Sequence, residues 1–171
     1  MRKHYADKEI IESLKSLTII TDSREQINEN ITGYFDTRKI PHLSRKLDAG
    51  DYSAMLGDMT LEHDISIEKK NGIDEIASNF TIDRQRLEDE FMRAKAHGTK
   101  MFLLIENCSW SDIFLHNYRS KLEPKSLIAS LLSWQVRFNI TIIFCKPSET
   151  GQIIYGILYY AAREALKTGN I

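Results

Sequence analysis

The stretch that fixes the architecture of this chain covers residues 48–70 and reads DAGDYSAMLGDMTLEHDISIEKK. Residues 52–56 and 59–68 have the composition of β-strands, and the Gly57-Asp58 pair between them is typical of a tight turn. Over residues 65–68, isoleucines alternate with a serine and a glutamate, which predicts a strand with one buried face. The stretch therefore predicts two neighbouring strands of a meander.

Apolar spacing on both sides of this stretch predicts a succession of helices and strands. Further strands are predicted at residues 17–20, 42–47, 101–105 and 140–145. Helices are predicted at 6–16, from Ile27 to a stop at Pro41, at 72–79, 83–97 and 124–138, and from a cap at Ser148 to about Lys167. This order predicts an α/β fold with a central mixed β-sheet of about five strands flanked by helices.

The composition indicates a globular domain that works inside the cell. No repeat or linker divides the chain, and no apolar run approaches the roughly 20 residues of a membrane span. We therefore expect one domain over residues 1–171, with residues 1–16 as a helical extension, and no membrane partner. The basic start leads into charged rather than apolar residues, so we expect no secretory signal and a cytoplasmic location.

Charge and cysteine content narrow the function classes. The formal net charge of −1 argues against a protein that coats nucleic acid through a uniformly basic surface. Basic residues nevertheless cluster at 84–100 and 119–125, whereas carboxylates gather at 22–29 and 48–75. An acidic metal pocket beside basic rims would produce this distribution, and so would ordinary solvated faces. The two cysteines stand far apart, without the spacing of a zinc site.

Asp51, Glu68 and Lys70 have the spacing of a metal site that hydrolyses phosphodiesters. Mg²⁺ prefers one or two carboxylates and keeps several waters. Asp51 precedes one predicted strand and Glu68 ends its neighbour, so the meander brings both carboxylates to one edge. Lys70 projects to the same face as Glu68, because side chains in a strand repeat with period two. Asp, a gap, then Glu-x-Lys is the sequence form of the PD-(D/E)xK nuclease arrangement.

Four segments in register resemble the nuclease domain of the XPF and Hef family, whose signature is Gly-Asp, a gap, then Glu-Arg-Lys, three residues and Asp. The segments are residues 20–25, 47–52, 67–70 with Asp74, and 102–106, within a similarity that covers roughly residues 17–165. The resemblance implies a restriction-endonuclease-like fold and an endonuclease that uses Mg²⁺ or Mn²⁺. It also implies DNA with branches or single-strand/double-strand junctions as the substrate.

The resemblance implies a role for each residue at the predicted sheet edge. Asp51 and Glu68 would be direct metal ligands, and the backbone carbonyl of Lys69 would supply a further oxygen. Lys70 would be the catalytic lysine. Taken singly, Asp51 also suits a turn and Lys70 a solvated surface, so the assignment depends on the motifs occurring together.

Asp22 and Asp74 match the outer acidic positions of the family. There they would hold waters, a second ion or the catalytic lysine. Without the family, Asp22 also fits a strand end, and Asp74 fits the first turn of a helix, where the helix dipole favours a carboxylate. Asp74 can serve as an outer acidic residue of the site and as a helix-start carboxylate at the same time.

The resemblance also implies residues that contact DNA. Arg24 matches the first member of the family's Arg-Glu pair, and Arg86 or Arg84 matches its phosphate-facing arginine. Lys69 replaces the family's arginine between Glu and Lys. A lysine lacks the planar fork that binds phosphate through two hydrogen bonds, which puts the grip on the substrate in doubt.

The predicted C-terminal helix is apolar over more than one face. Aliphatic residues form a stripe from Ile153 to Leu166, and Tyr155, Tyr159 and Tyr160 widen it. This breadth predicts a homodimer through the C-terminal helices, which the family resemblance also implies. The alternative is that the tyrosines pack on the helix predicted at 6–16 within one chain.

Two other functions compete with a junction endonuclease. One is a non-catalytic DNA-binding or scaffold subunit, because the family includes degenerate partners that keep the fold. The other is a general nuclease or a recombination factor of a virus or mobile element. The sequence contains no tandem helix-hairpin-helix segment such as many relatives use, so we expect a separate DNA-binding partner.

Overall fold

Residues 5–169, which the computed structural model describes, form seven strands and seven helices. The strands are β1 (Leu17–Thr21), β2 (His42–Ser44), β3 (Tyr52–Leu56), β4 (Met59–Thr60), β5 (Ile65–Lys70), β6 (Lys100–Glu106) and β7 (Thr141–Cys145). The helices are α1 (Asp7–Leu14), α2 (Glu29–Arg38), α3 (Ile73–Thr81), α4 (Arg84–His97), α5 (Trp110–Phe114), α6 (Pro124–Phe138) and α7 (Pro147–Thr168). Residues 1–4 of the expected N-terminal extension lie outside the described residues.

The strands form one mixed sheet. Its order is β2-β1-β3-β5-β6-β7, and the short β4 pairs with β3. β3 is antiparallel to β1 and β5, whereas β5, β6 and β7 are parallel. The predicted α/β class and mixed central sheet are therefore confirmed. Because Tyr52 is paired with Ile67, the start of β3 lies beside the end of β5.

Helices cover both faces of the sheet, and each face has its own hydrophobic core. The α7 face contains Ile67 of β5 and is covered by α1, α2 and α7. The α4 face contains Leu103 and Ile105 of β6 and is covered by α3, α4 and α6. Glu68 and Lys70 are registered with these two β6 residues, so their side chains project to the α4 face.

The strand expectations are wrong in two details. The segment predicted as one strand, 59–68, is two strands, because the chain turns between them where Ile65 N–H donates to the Leu61 carbonyl at 2.9 Å. The sheet consequently has seven strands rather than about five. Every residue of β5 is buried, since helices cover both faces, so the expected solvent face of this strand does not exist.

The helix expectations also need correction at two points. The last helix begins with Pro147 after a cap at Lys146, not at Ser148, because proline suits the first helical position, where its missing N–H costs nothing. The five-residue helix α5 was not predicted, since so short a segment shows little periodicity. Within residues 5–169, no helix combines the length and apolar character needed to cross a lipid bilayer.

Candidate active site

Asp51 is held at the edge of the sheet by β5. Its N–H donates to the Ile67 carbonyl at 2.8 Å, and its Oδ2 accepts from Lys69 N–H at 2.8 Å. Glycine is required at position 50, where φ is +73° and a Cβ would lie 2.2 Å from the Ser66 hydroxyl oxygen. The chain can therefore fold back closely enough to bring the Asp51 carboxylate against the end of β5.

Glu68 and Lys70 meet on the α4 face. Lys70 Nζ donates to Glu68 Oε1 at 2.7 Å and lies 3.5 Å from Glu75 Oε1 of α3. Glu75 was not predicted from the sequence. Asp74, which was, accepts hydrogen bonds from Arg119 N and Nε at 2.8 and 2.9 Å. Of the three roles expected for Asp74, holding Lys70 is therefore not the one observed, because the turn of α3 directs Glu75 toward the lysine instead.

The buried charges of this site perturb one another. Burial, and then the charge of Glu68, raise the pKa of Asp51 well above its ordinary value. Burial also raises the pKa of Glu68, although Lys70 opposes the shift. Burial lowers the pKa of Lys70, but Glu68 and Glu75 outweigh it, so the pKa is raised and the lysine stays charged at neutral pH. Two neighbouring carboxylates of this kind fit a divalent cation, which would relieve their repulsion.

The donor atoms also suit a hard cation. Within residues 5–169, the second oxygen of each carboxylate, on Asp51 and on Glu68, accepts no hydrogen bond from protein. The N–H and C=O of one residue in an extended strand point to the same side, so the Lys69 carbonyl faces Asp51 as its N–H does. Two carboxylates and a carbonyl are oxygen ligands of the type that Mg²⁺ and Mn²⁺ accept.

Another group of possible metal ligands lies outside the predicted set. Among the residues that the structure describes, Asp48, Glu62 and His63 have ligand atoms within 4.8 Å of one another. Arg45 already pairs with Glu62 at 2.8 Å, and Asp48 and His63 are exposed. Because an arginine neutralises the central carboxylate, we assign this group no metal.

Asp22 connects β1 to the loop before Asp51. Its carboxylate accepts from Arg24 N, Nε and Nη2 at 2.7, 2.8 and 2.9 Å and from Leu47 N at 2.7 Å. Its N–H donates to the Asp51 carbonyl at 2.7 Å. Burial raises the pKa of Asp22, but the Arg24 and Leu47 hydrogen bonds outweigh it and the net pKa is lowered. Asp22 therefore fixes the loop and orients Arg24, whose own side chain is 63% exposed.

A groove of about 310 Å³ opens beside the two carboxylates. It is lined by Asp22, Arg24, Asp48, Gly50, Asp51, Glu68, Arg86, Glu90 and Arg93. Arg86, Glu90 and Arg93 share one face of α4, because residues three and four apart are neighbours on a helix. Arg84 instead donates to Glu88 Oε1 at 2.8 Å. Of the two candidate arginines, Arg86 is therefore the one that faces the groove. Glu90 and Arg93 were not predicted, although their helical spacing from Arg86 could have identified them as groove residues.

The Lys69 side chain lies on the α7 face, away from the groove. Its Nζ donates to Asn71 Oδ1 at 2.6 Å and to the Ile27 carbonyl at 3.2 Å, and lies 3.4 Å from Glu25 Oε1. The side chain is 1% exposed. This corrects the expectation that it contacts DNA. The same period-two rule that puts Glu68 and Lys70 together puts the residue between them on the opposite face.

Two solved structures have the same fold. They are XPF from Aeropyrum pernix, with a TM-score of 0.66 and 19% identity, and XPF from Aeropyrum pernix in complex with DNA, with a TM-score of 0.64 and 18% identity. Each alignment covers 86% of this chain, which spans 66% of the length of each of those chains. The likeness confirms the restriction-endonuclease-like fold.

The sequence itself was compared with protein families and with curated proteins. No curated protein matches it. The model of the ERCC4 domain matches residues 21–157, which contain both sheet-edge carboxylates and the arginines of the groove. Because this match covers most of the chain, the protein belongs to the ERCC4 domain family, as the resemblance of its motifs indicated.

Proposed function

We propose that this protein is a metal-dependent DNA endonuclease that acts in repair or recombination. In this proposal it uses Mg²⁺ or Mn²⁺ to hydrolyse phosphodiester bonds at branched or single-strand/double-strand junction DNA. The observation that carries the proposal is the meeting of Asp51, Glu68 and Lys70 beside a groove rimmed by arginines. The family membership supports the junction preference.

Each residue at the sheet edge has a defined task in this reaction. Asp51, Glu68 and the Lys69 carbonyl would hold the metal ion, which when bound supplies a Lewis acid and a water of lowered pKa. Lys70 keeps its proton because Glu68 and Glu75 lie beside its Nζ. Its charge can therefore stabilise the negative charge that develops on the phosphate.

The arginines of the groove would hold the DNA backbone. Arg24, Arg86 and Arg93 line it, and a guanidinium can bind a phosphate through two hydrogen bonds. The solved structure of XPF from Aeropyrum pernix in complex with DNA supports nucleic acid as the ligand. With a net charge of −1, the chain can neutralise few phosphates, so binding should be weak and salt-dependent. A separate DNA-binding partner would compensate.

The direct test is cleavage of defined DNA substrates. Flap, fork, Holliday and linear DNA are incubated with the purified protein in Mg²⁺, in Mn²⁺ and in EDTA. The proposal expects cleavage near the branch point of at least one branched substrate, with EDTA abolishing it. Binding without cleavage in either metal would favour the scaffold alternative, and equal cleavage of linear DNA would favour a general nuclease.

We expect Arg86→Ala to weaken DNA binding about equally for all base sequences. A phosphate contact carries no sequence information, and its loss should reduce the slope of log affinity against log salt by about one. Fluorescence anisotropy at several salt concentrations measures both quantities. Arg84→Ala is the control, because it removes the same charge from the same helix but outside the groove. An altered base preference in Arg86→Ala would contradict a phosphate contact.

We expect divalent ions to raise the melting temperature more strongly as the pH increases. Because the pKa values of Asp51 and Glu68 are raised by folding, the folded protein binds protons at these carboxylates more tightly than the unfolded chain does. In EDTA, protonation of the two carboxylates therefore adds to the free energy of unfolding at low pH. That contribution is lost as the pH rises above their ordinary values, 3.8 and 4.5, and a cation can then replace the protons. In thermal melts Asp51→Asn should lose most of the Mg²⁺-induced shift. An undiminished shift in the variant would place the ion elsewhere.

A homodimer through α7 is the second part of the proposal. Tyr155 and Tyr159 are partly buried against the α7-face core of their own chain. These two tyrosines therefore need no partner subunit to cover them. Tyr160 is 61% exposed and, with Ile157 and Phe102, lines an apolar groove of about 720 Å³. The other side of α7 already contacts α1 and α2 of its own chain. A second copy is the occupant that we propose for this groove.

Tyr160→Glu should shift the protein toward monomer, because it puts a charge into the apolar groove and close to Glu164 of the same lining. Light scattering at micromolar concentration measures the mass. The wild type should exceed 19.8 kDa and approach twice that value as concentration rises. Val136→Glu, at an 85% exposed position on α6, is the control. A wild-type mass that stays at the monomer value would reject the dimer.

A further inference from the structure

Glu90 of α4 holds the glycine that precedes Asp51. Its Oε1 accepts a hydrogen bond from Gly50 N–H at 2.6 Å, across 40 positions of sequence. Gly50 is the residue whose left-handed backbone and close approach to Ser66 make the tight return onto β5 possible. The Glu90 carboxylate therefore fixes this return from the side of the groove opposite β5.

The contact with Gly50 is the direct interaction that accounts for the position of Glu90. Glu90 lies between Arg86 and Arg93 on the groove face of α4. Within residues 5–169, however, it forms no ion pair shorter than 4.0 Å with either arginine. The carboxylates that pair with other arginines near the groove and on α4 are Asp22 and Glu88. Glu90 thus does not act simply as a counter-ion on its own helix. Its charge also helps to raise the pKa of Glu68.

The backbone that follows Gly50 connects the Glu90 contact to the proposed metal site. On the next residue, Asp51 N–H donates to the Ile67 carbonyl and Oδ2 accepts from Lys69 N–H, both at 2.8 Å. A glycine loses more conformational freedom on folding than any other residue, so this return needs anchors on both sides. β5 supplies one, and Glu90 supplies the other.

We propose that Glu90 is a positioning residue for the metal site, which presents the Asp51 carboxylate to the cation by fixing Gly50. This inference rests on the proposed function and deepens it. Outer contacts that orient a metal ligand typically contribute about 10- to 100-fold to metal affinity. Because an amide oxygen accepts a hydrogen bond as a carboxylate does, glutamine at this position should preserve the contact, whereas alanine should remove it.

The test measures Mn²⁺ binding by calorimetry without DNA, together with the Mg²⁺ dependence of cleavage. We expect Glu90→Ala to weaken Mn²⁺ binding by about 10-fold or more, and Glu90→Gln to stay within about 3-fold of the wild type. Asp89→Asn is the matched control, because it removes one charge from the adjacent, exposed position of α4. Raising the Mg²⁺ concentration should restore more of the cleavage rate in Glu90→Ala than in Asp51→Asn, because only the second variant lacks the ligand itself.

Each result decides a different question. If Glu90→Ala folds, as judged by its thermal melt, and binds Mn²⁺ as the wild type does, the inference is overturned while the proposed function stands. If Glu90→Gln loses as much affinity as Glu90→Ala, charge rather than the Gly50 contact is responsible, and the positioning role is also overturned. If Glu90→Ala does not fold, Glu90→Asp replaces it, because the shorter carboxylate keeps the charge but cannot reach Gly50 N–H, and Mn²⁺ affinity should again fall about 10-fold. Wild-type affinity in Glu90→Asp would overturn the inference. A wild type that neither binds Mn²⁺ nor cleaves DNA overturns the proposed function and this inference together.

Discussion

Replacing Asp51 with asparagine or Glu68 with glutamine should reduce DNA cleavage by about 10³-fold or more. Each change removes a negative ligand from a site that offers two carboxylates, and loss of several kcal/mol of Lewis-acid stabilisation corresponds to this factor. Asparagine can still accept from Lys69 N–H, so the fold around residue 51 should persist. Single-turnover cleavage of the best branched substrate, at saturating Mg²⁺ and excess protein, is the appropriate measurement.

The control for these variants is Asp58→Asn, which removes one negative charge from an exposed turn far from the groove. It should cleave at the wild-type rate. Asp51→Asn should also keep its melting temperature in EDTA or gain slightly, because one source of buried carboxylate repulsion is removed. Glu68→Gln should lower it, because the buried Lys70 ammonium loses its nearest carboxylate. Substantial cleavage by either variant, after contaminating nuclease is excluded, would show that the chemistry occurs elsewhere.

Replacing Lys70 with methionine should slow the chemical step by about 10²-fold or more while metal binding persists. Methionine keeps most of the length of the side chain but removes the charge that lies 2.7 Å from Glu68 Oε1. A positioned electrostatic stabiliser of the transition state commonly contributes about 10²- to 10³-fold. The loss of the cation should also raise the pKa of Glu68 further, so Mn²⁺ binding is best compared at mildly alkaline pH.

Lys69→Met provides a contrast one residue away. Its ammonium group lies on the α7 face, so the change should lower the melting temperature by leaving Glu25 without this partner, and should affect the chemical step much less. If the single-turnover rate fell equally in both variants, both lysines would act on cleavage by stabilising the fold. An unchanged rate in Lys70→Met would reduce Lys70 to a structural partner of Glu68 and Glu75.

The parts of the site that follow from local rules could be predicted from the amino-acid sequence. The period of two in a strand put Glu68 and Lys70 on one face. The turn expected at Gly57-Asp58 made the predicted strands 52–56 and 59–68 neighbours. Asp51 had to lie beside the end of β5 once these strands paired. Several motifs in register identified the family, because they carry far more information than any one of them.

Which residues of α3 and α4 reach the site depends on how these helices pack. Asp74 and Glu75 are adjacent in sequence, and the packing of α3 alone turns Glu75 toward Lys70. In α4, the core residues Leu87 and Phe91 fix the rotation of the helix about its axis. That rotation directs Arg86 to the groove and brings Glu90 to Gly50. Periodicity can group Arg86, Glu90 and Arg93 on one face of the helix, but only the packing shows what that face lies against.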